Sequence, residues 1–543
     1  MVVDHPAVVL EQASPHLSDQ TVGGLLRDTA AACPDALALE AVPDGTREPR
    51  TWTYSELLTE AEQIAGGIAR RVPAGGRVAL WAPNVQHWPI FEYAAALAGV
   101  VLVALNPTLR AGELHHALSL SEATMLMHAD KVRGYDMAAA VRDVVVGLPS
   151  LEHVASLTDW EDLREPGGVP ASRVAATASE DAAQIQFTSG TTGPPKAVLL
   201  SHRAVVNVAR FTFLELGLAD RTTVVSPLPM FHTAGCVISC LGPATLGGTF
   251  VLLERFEPVL LLDVLRRRPG SVLSSVPAVL TMLADVAGKQ QTPPPRLGCV
   301  LTGAAPVRSR LIAGIEKLFA TTVVNLYGQT ELASVVTLTR PGDSLETRST
   351  TVGRPLPRVS CRIVRPGTST VLPFGATGEI CVRGYQQMLG YHADPAATAR
   401  KVDAEGWLHT GDLGSLGPDG TLRLEGRVDD LIICGGENIA PEEIERLLAG
   451  LPDVREALVL GVPDDVRGEV VVAVVCPASD RAVDVVAAHA LCREKFAPFK
   501  IPVRWYEAKS WPMTPAGKIQ RFRLKELIAQ GGLVRLDPEG AST

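Results

Sequence analysis

The sequence predicts an α/β protein, and three successive textures along the chain predict it. In the first, short continuous apolar runs alternate with helical stretches: "RVALWAP" (77–83), then a helix through 94–99, "VVLVALNP" (100–107), "TTVVSPLP" (222–229), "SVLSSVP" (271–277), "GCVLTGAAP" (298–306) and "TVVNLYG" (322–328). Strands that are apolar throughout, with helices between them, belong to a parallel sheet covered on both faces. From 352 the strands are short and punctuated by turn residues, as in "CRIVRP", "GEICVRG" and "GTLRLEGR", which predicts a meander or small barrel. The third texture begins near 430. There "APEEIERLLAGL" (440–451) opens on Pro441, carries acids in its first turn and sets Ile444, Leu447 and Leu448 on one face, the pattern of a helix. The strand-like "EALVLGVP" and "VVVAVVCP", a helix near 482–496 and "VRWYEA" complete a compact α+β unit, joined to the rest at "EGRVDDLIICGG".

Length and composition bound what such a chain can do. Its 543 residues correspond to roughly three to four domain-sized units. The net charge of −9 argues against a nucleic-acid partner, which needs a basic field. Arg266, Arg267 and Arg268 form a local basic run that reads as a solvated face. The nine cysteines make no C-x-x-C pair, and Cys236 and Cys240 have no matching His or Cys pair at zinc-finger spacing, so reduced core thiols are expected. The longest apolar run, from Tyr93 to Leu105, falls short of the roughly 20 residues of a membrane span. "MVVDHPAVVLEQAS" has acids and no basic start, unlike a secretory leader. A soluble cytoplasmic protein is the expectation. The proline-rich "QQTPPPR" (290–296) reads as an exposed loop rather than a linker between domains.

One segment, "FTSGTTGPPKAVLLSH" (187–202), has the chemistry of an anion cradle. Backbone N–H groups in a glycine-rich turn can converge on a phosphate. Gly190 and Gly193 allow close approach, Thr188, Ser189, Thr191 and Thr192 add hydroxyl donors, and Lys196 adds a mobile positive charge. The spacing Gly190-x2-Gly193-x2-Lys196 is not that of a Walker A loop. Four other islands accompany it. "NLYGQTE" (325–331) follows a strand and offers Glu331 as a Mg²⁺ ligand; "WLHTGDL" (407–413) presents Asp412 beyond a Thr-Gly turn, suited to two ribose hydroxyls. "GRVDDLIICGGENIAPEEIE" (426–445) lies on the seam, and "MTPAGKIQR" (513–521) puts Lys518 on a glycine-supported turn.

In this order and spacing the five islands resemble the adenylate-forming superfamily, which includes acyl-CoA synthetases, the adenylation domains of peptide synthetases and firefly luciferase. The resemblance runs from about residue 20 to 530. It implies an N-terminal AMP-binding part over 1–428, with two βαβ-type subdomains to about 350 and a small β-barrel over 351–428, followed by a mobile α+β domain over 429–543. It implies that Thr188, Ser189, Gly190, Thr191, Thr192, Gly193 and Lys196 hold the ATP phosphates. Tyr327 would lie on the adenine, with Gly303, Ala304, Ala305 and Gly328 lining the same slot. Thr330 would touch the α-phosphate, Glu331 and Thr188 would serve Mg²⁺, and Asp412 and Arg427 would bind ribose. Asp429 takes the hinge position, Lys518 reaches in from the small domain during adenylation, and Gly435 and Gly436 would leave a narrow channel for a pantetheine thiol.

The resemblance also bears on the acid. "PMFHTAG" (229–235) matches the acyl-pocket segment, with His232 as its gate. His232 and Thr233 follow Phe231 where amino-acid-activating relatives carry Asp, which argues against an α-amino acid. The pocket candidates Phe231, His232, Cys236, Gly303, Ala304, Gly328 and Val335 are mostly small or apolar and suit a fatty, aromatic or alicyclic acid. Ala197 departs from the family pattern, which has Gly after the loop lysine, and Cys434 lies near the thiol channel. No long insertion of the fatty acyl-AMP ligase kind separates the islands, and nothing after Gln530 looks like a carrier domain. The expected activity is an AMP-forming acid–CoA ligase using ATP, Mg²⁺ and CoA. A stand-alone adenylating enzyme serving a carrier protein or another nucleophile is the alternative, and a non-catalytic nucleotide-binding module the lesser one. Oligomeric state is left open.

Overall fold

The apolar runs at 222–229, 271–277, 298–306 and 322–328 become the strands Thr223–Ser226, Val272–Ser275, Cys299–Gly303 and Val323–Tyr327. Together with Thr249–Leu253 and Leu37–Val42 they pair in parallel, forming the middle of a nine-stranded sheet. Short antiparallel strands close its edges, Thr337–Leu338 and Arg354–Pro355 on one side and Arg50–Thr53 on the other. Alternate residues enter different apolar clusters: Val225, Val251, Leu273 and Val300 pack on one face, Val224, Phe250, Val272 and Cys299 on the other. Burial on both faces is why these strands read as unbroken apolar runs. The computed structural model describes residues 6–537, apart from 11–14, 44, 46–47, 171–172, 174–175, 189–194, 306, 435–436, 465–466, 479–481 and 514–518.

A second sheet has seven strands in the order Gly390–Tyr391, Lys196–Ser201, Ala182–Thr188, Val101–Leu105, Arg77–Trp81, Met125–His128 and His153–Ser156. Its pairings are parallel beyond Ala182–Thr188 and antiparallel at the near end, where the glycine-rich loop lies. The long apolar run at 93–105 resolves into the end of helix His87–Leu97 and the buried strand Val101–Leu105. No helix among the described residues is long and apolar enough to cross a membrane.

The expected small barrel takes the form of a five-stranded antiparallel sheet, ordered Val8–Val9, Val359–Val364, Gly378–Gly384, Leu408–Leu416 and Leu422–Arg427. Its first strand comes from the N-terminus, which the sequence did not signal because two residues carry no period. No pairing joins the two end strands among the described residues. The far edge is covered by a helix instead: the Glu442 carboxyl of helix Pro441–Leu448 lies where a Cβ on Gly426 would be, 2.1 Å from that position. Covering an edge with a helix satisfies the same need as closing the barrel.

The last sheet has six strands built around Gly468–Pro477, with Val471, Ala473 and Val475 facing one apolar cluster and Val470, Val472 and Val474 another. The only covalent link between it and the five-stranded sheet runs through the single turn Val428–Asp430. The helix expected at 440–451 is Pro441–Leu448, with Pro441 in its first turn and Ile444 and Leu448 buried.

One expectation changes and two hold. Of the three consecutive arginines only Arg267 stays exposed. Arg268 pairs with Glu40, a buried strand carboxylate that needs a cation, and Arg266 bonds Asp263 and Gln290. All nine cysteines are unpaired, and all but Cys33 are buried. Residues 290–296 follow helix Pro277–Lys289 as a largely exposed loop.

Candidate active site

The strands Ala182–Thr188 and Lys196–Ser201 run antiparallel with Thr188 opposite Lys196, so the glycine-rich loop leaves from one and returns to the other. Ser189, Gly190, Thr191, Thr192 and Gly193 lie outside the described residues. At the loop's base the exposed Lys196 ammonium stands 4.8 Å from the centre of the Tyr391 ring, a cation–π contact. The Tyr391 hydroxyl in turn donates to Glu331 Oε1 at 2.8 Å. Burial and the Glu331 charge push the Tyr391 phenol well up, so it remains a neutral donor. Ala197 is buried in strand backbone opposite Phe187, and its methyl fits there without a glycine.

The second wall is the carboxyl edge of the nine-stranded sheet. Gly303 and Leu326 are register partners, so the segments that follow them emerge side by side. Ala304 has left-handed backbone (φ 65°), and Ala304 and Ala305 are exposed. Tyr327 ends its strand, Gly328 follows, and the single turn Thr330–Leu332 presents Thr330 and the nine-tenths buried Glu331. A Cβ on Gly328 would lie 1.7 Å from the Ser334 carbonyl oxygen, so the chain can turn here only with glycine. A crevice at the carboxyl ends of parallel strands is where open α/β sheets bind ligands.

The third wall is the five-stranded sheet. Asp412 and Arg427 are register partners on neighbouring strands, and the Arg427 guanidinium donates to Asp412 Oδ1 at 2.7 Å. The Tyr327 hydroxyl donates to Asp412 Oδ2 at 2.7 Å, which ties this sheet to the second wall. The resemblance implies an adenine contact for Tyr327; the structure shows its hydroxyl bonded to Asp412. Gly411 (φ 75°) makes the turn, and its N–H donates to Glu379 Oε1 at 3.1 Å. Asp429 sits exposed in the turn Val428–Asp430, between the two sheets. Gly435, Gly436 and Lys518 lie outside the described residues.

Of the acyl-side candidates, Gly303, Ala304 and Gly328 lie on the second wall, while Phe231, His232 and Cys236 share a segment of their own. The half-buried rings of Phe231 and His232 lie 4.3 Å apart. The His232 carbonyl accepts the N–H groups of Gly235 and Cys236 as the chain enters the π-helix Ala234–Leu241, a rare form that recurs at functional sites. Val335 is fully buried. Cys236 is buried as well, but its surroundings are polar: Gln186 Nε2 lies 3.4 Å and Gln184 Oε1 3.5 Å from its sulfur. Gln184 Nε2 donates to Glu92 at 2.6 Å. Sequence reasoning missed this network. Gln184 and Gln186 sit two apart in an otherwise apolar strand, which places both on one face, and that was the available signal.

Tyr391, Glu379 and Lys401 also escaped the sequence reading, because none falls inside a recognised island. Glu379, Cys381 and His409 bring ligand-type atoms within 4.8 Å of one another. The His409 ring already faces Glu379 at 2.9 Å and Asp403 at 3.5 Å, and the Arg362 guanidinium lies against the Cys381 thiol. With a fixed cation in place, the group is a brace between strands rather than a cation site. Glu331 and Thr188 are different: both offer hard oxygen donors, the chemistry Mg²⁺ takes beside substrate phosphates, and they fit that ion.

The model of the AMP-binding enzyme family matches residues 26–392, and that of the AMP-binding enzyme C-terminal domain matches 443–518. The chain belongs to the AMP-binding enzymes. Within this family it is 34% identical over 541 residues to a putative acyl-CoA synthetase of Bacillus subtilis, covering 94% of this chain and 97% of that protein. It is 33% identical over 522 residues to a Mycobacterium tuberculosis CoA ligase for a methyl-dioxo-octahydroindenyl propanoate, covering 94% and 99%. The ATP-bound MatB structure from Rhodopseudomonas palustris superposes with a TM-score of 0.80 at 26% identity, covering 93% of this chain and 99% of that one. The α/β fold of this AMP-binding enzyme is thus that of adenylating enzymes, with a large N-terminal domain and a smaller C-terminal one.

Proposed function

We propose that this AMP-binding enzyme joins a carboxylic acid to the AMP part of ATP, releasing pyrophosphate, and then passes the acyl group from the adenylate to the thiol of CoA, releasing AMP. One observation carries the reading. Two chains of contacts, Lys196–Tyr391–Glu331 and Tyr327–Asp412–Arg427, draw three walls from different sheets together around one crevice. Their chemistry matches the two ends of a nucleotide: the Lys196 ammonium suits a polyphosphate, while Asp412 would accept from ribose hydroxyls with Arg427 fixing its orientation.

The chemical difficulty is that two anions must meet. A carboxylate attacks the α-phosphorus, and charge builds on the oxygens of that centre. Glu331 and Thr188 would hold Mg²⁺, which when bound would supply Lewis-acid charge neutralisation. Thr330 positions the α-phosphate, and Lys518 approaches from the small domain to stabilise the developing charge. We place the domain boundary at 428/429 and the pivot at Asp429, because the chain crosses there in a single turn. Rotation about it would withdraw Lys518 and bring the segment around Gly435 and Gly436 to the crevice for the thiol. The acid would enter past His232 and Phe231. A fatty, aromatic or alicyclic acid suits those rings and the apolar Val335, and the Mycobacterium relative, a CoA ligase for an alicyclic propanoate, supports the alicyclic part of that range.

The test is a pooled-acid assay. Purified protein receives ATP, Mg²⁺, CoA and mixed fatty, aryl and alicyclic acids, and acyl-AMP and acyl-CoA are read by mass. An acyl-CoA product names the acid. Acyl-AMP that accumulates while CoA stays free overturns the CoA step and points to a carrier protein or an amine.

A further inference from the structure

Helix Pro395–Lys401 ends between the nucleotide-facing walls, and its last residue is a lysine that no motif includes. The Lys401 ammonium donates to the Thr410 carbonyl at 2.9 Å, two residues before Asp412. Beyond that bond, the described charges that act on it most include Glu331, Asp412 and Glu379, with the Arg427 cation opposing them. The side chain is largely buried, and burial pulls its pKa down while Glu331 and Asp412 act to hold it charged. The helix packs onto the strands Gly390–Tyr391 and Leu408–Leu416 of the large part, so Lys401 stays put whichever way the small domain points.

We propose that Lys401 is a positioning residue of the nucleotide site, a fixed cation that sets the charge and spacing of the Glu331 and Asp412 carboxylates. This rests on the reading of that crevice as the ATP site. Two effects of opposite sign follow. A cation fixed beside the crevice favours an arriving polyanion. The same cation partly neutralises Glu331, so it weakens the hold of that carboxylate on Mg²⁺. Removing it should therefore lower affinity for metal-free ATP and enlarge the gain in affinity that Mg²⁺ brings. A lysine that merely supported the fold would depress both affinities together and leave their ratio unchanged.

Calorimetry of the full-length protein reads both quantities, with ATP titrated in EDTA and in Mg²⁺. For Lys401→Met the metal-free ATP affinity should drop about tenfold and the Mg²⁺ enhancement should rise severalfold, as expected for the loss of one charge in a site of reduced dielectric. Lys401→Arg should stay near wild type. Lys401→Gln keeps a donor for the Thr410 carbonyl while losing the charge, so it should follow Met; it also serves if the Met variant does not fold. Glutamine behaving as wild type would reduce Lys401 to its hydrogen bond and overturn the inference. So would a parallel loss of both affinities in Met and Gln, or no change in either. If wild-type protein binds no ATP at all, the nucleotide-site reading itself fails, and this inference with it.

Discussion

Glu92 carries one of the largest electrostatic strains on a single residue here. It is nearly fully buried, and burial raises its carboxyl from 4.5 to about 8 against the lowering effects of Gln184 and Cys240. The folded protein therefore keeps Glu92 protonated where the unfolded chain has already ionised it. The stability this contributes is complete below pH 4.5, declines as pH rises, and is gone above about 8. Denaturant midpoints at pH 6 and pH 9 should differ less in Glu92→Gln than in wild type, because the amide keeps the shape and does not titrate. An equal loss in both proteins would remove Glu92 as the source. At the proposed catalytic position, Lys518→Ala should reduce pyrophosphate release by about 10²–10³ while leaving thermal unfolding unchanged, the usual loss for one electrostatic donor. Unchanged release would take Lys518 out of the site. Tyr391→Phe removes the only neutral donor recorded on Glu331 Oε1 among the described residues and should change Mg²⁺ dependence more than the KM for the acid, measurable by metal titration of the adenylation rate.

At the scale of elements, the docking of helix Pro441–Leu448 on the strand Leu422–Arg427 turns on one absent side chain. Gly426 has φ 135°, and the Glu442 carboxyl fills the space a methyl would take. Gly426→Ala should raise protease cleavage in the 428–432 turn severalfold, and Glu442→Ala on top of it should recover part of the protection, since the blocked atom is the end of a flexible side chain. No change in cleavage would mean the helix is held elsewhere, for example by Arg521, which bonds Glu445 and lies 3.5 Å from Asp430. What could be read from the sequence also divides at this scale. The parallel strands were legible because burial on both faces leaves an uninterrupted apolar run, and the nucleotide islands because their loops need glycines at fixed spacing. Tyr391, Glu379 and Lys401 were not, since their meaning comes from partners 60, 32 and 9 residues away. The Glu92–Gln184 network was hidden for the same reason, a separation of 92 residues.

For the whole molecule, the proposed cycle needs two orientations of the small domain, one bringing Lys518 to the crevice and one opening the thiol path. Gly436→Trp should block the second without touching the first: acyl-AMP forms at the wild-type rate and acyl-CoA does not appear, both read by mass from one reaction. Loss of both products with the fold intact would place the channel elsewhere. Another property of the whole chain follows from how far apart in sequence its paired strands lie. Val8–Val9 is stitched to Val359–Val364, and Leu37–Val42 lies beside Thr249–Leu253. On the ribosome the earliest segments emerge long before their sheet neighbours, and at about 5–20 residues per second Val8–Val9 waits some tens of seconds for the strand it joins. During translation, then, the nascent chain holds unmated strand edges until those distant partners emerge, and a chaperone would act on assembly in that interval more than on the finished enzyme.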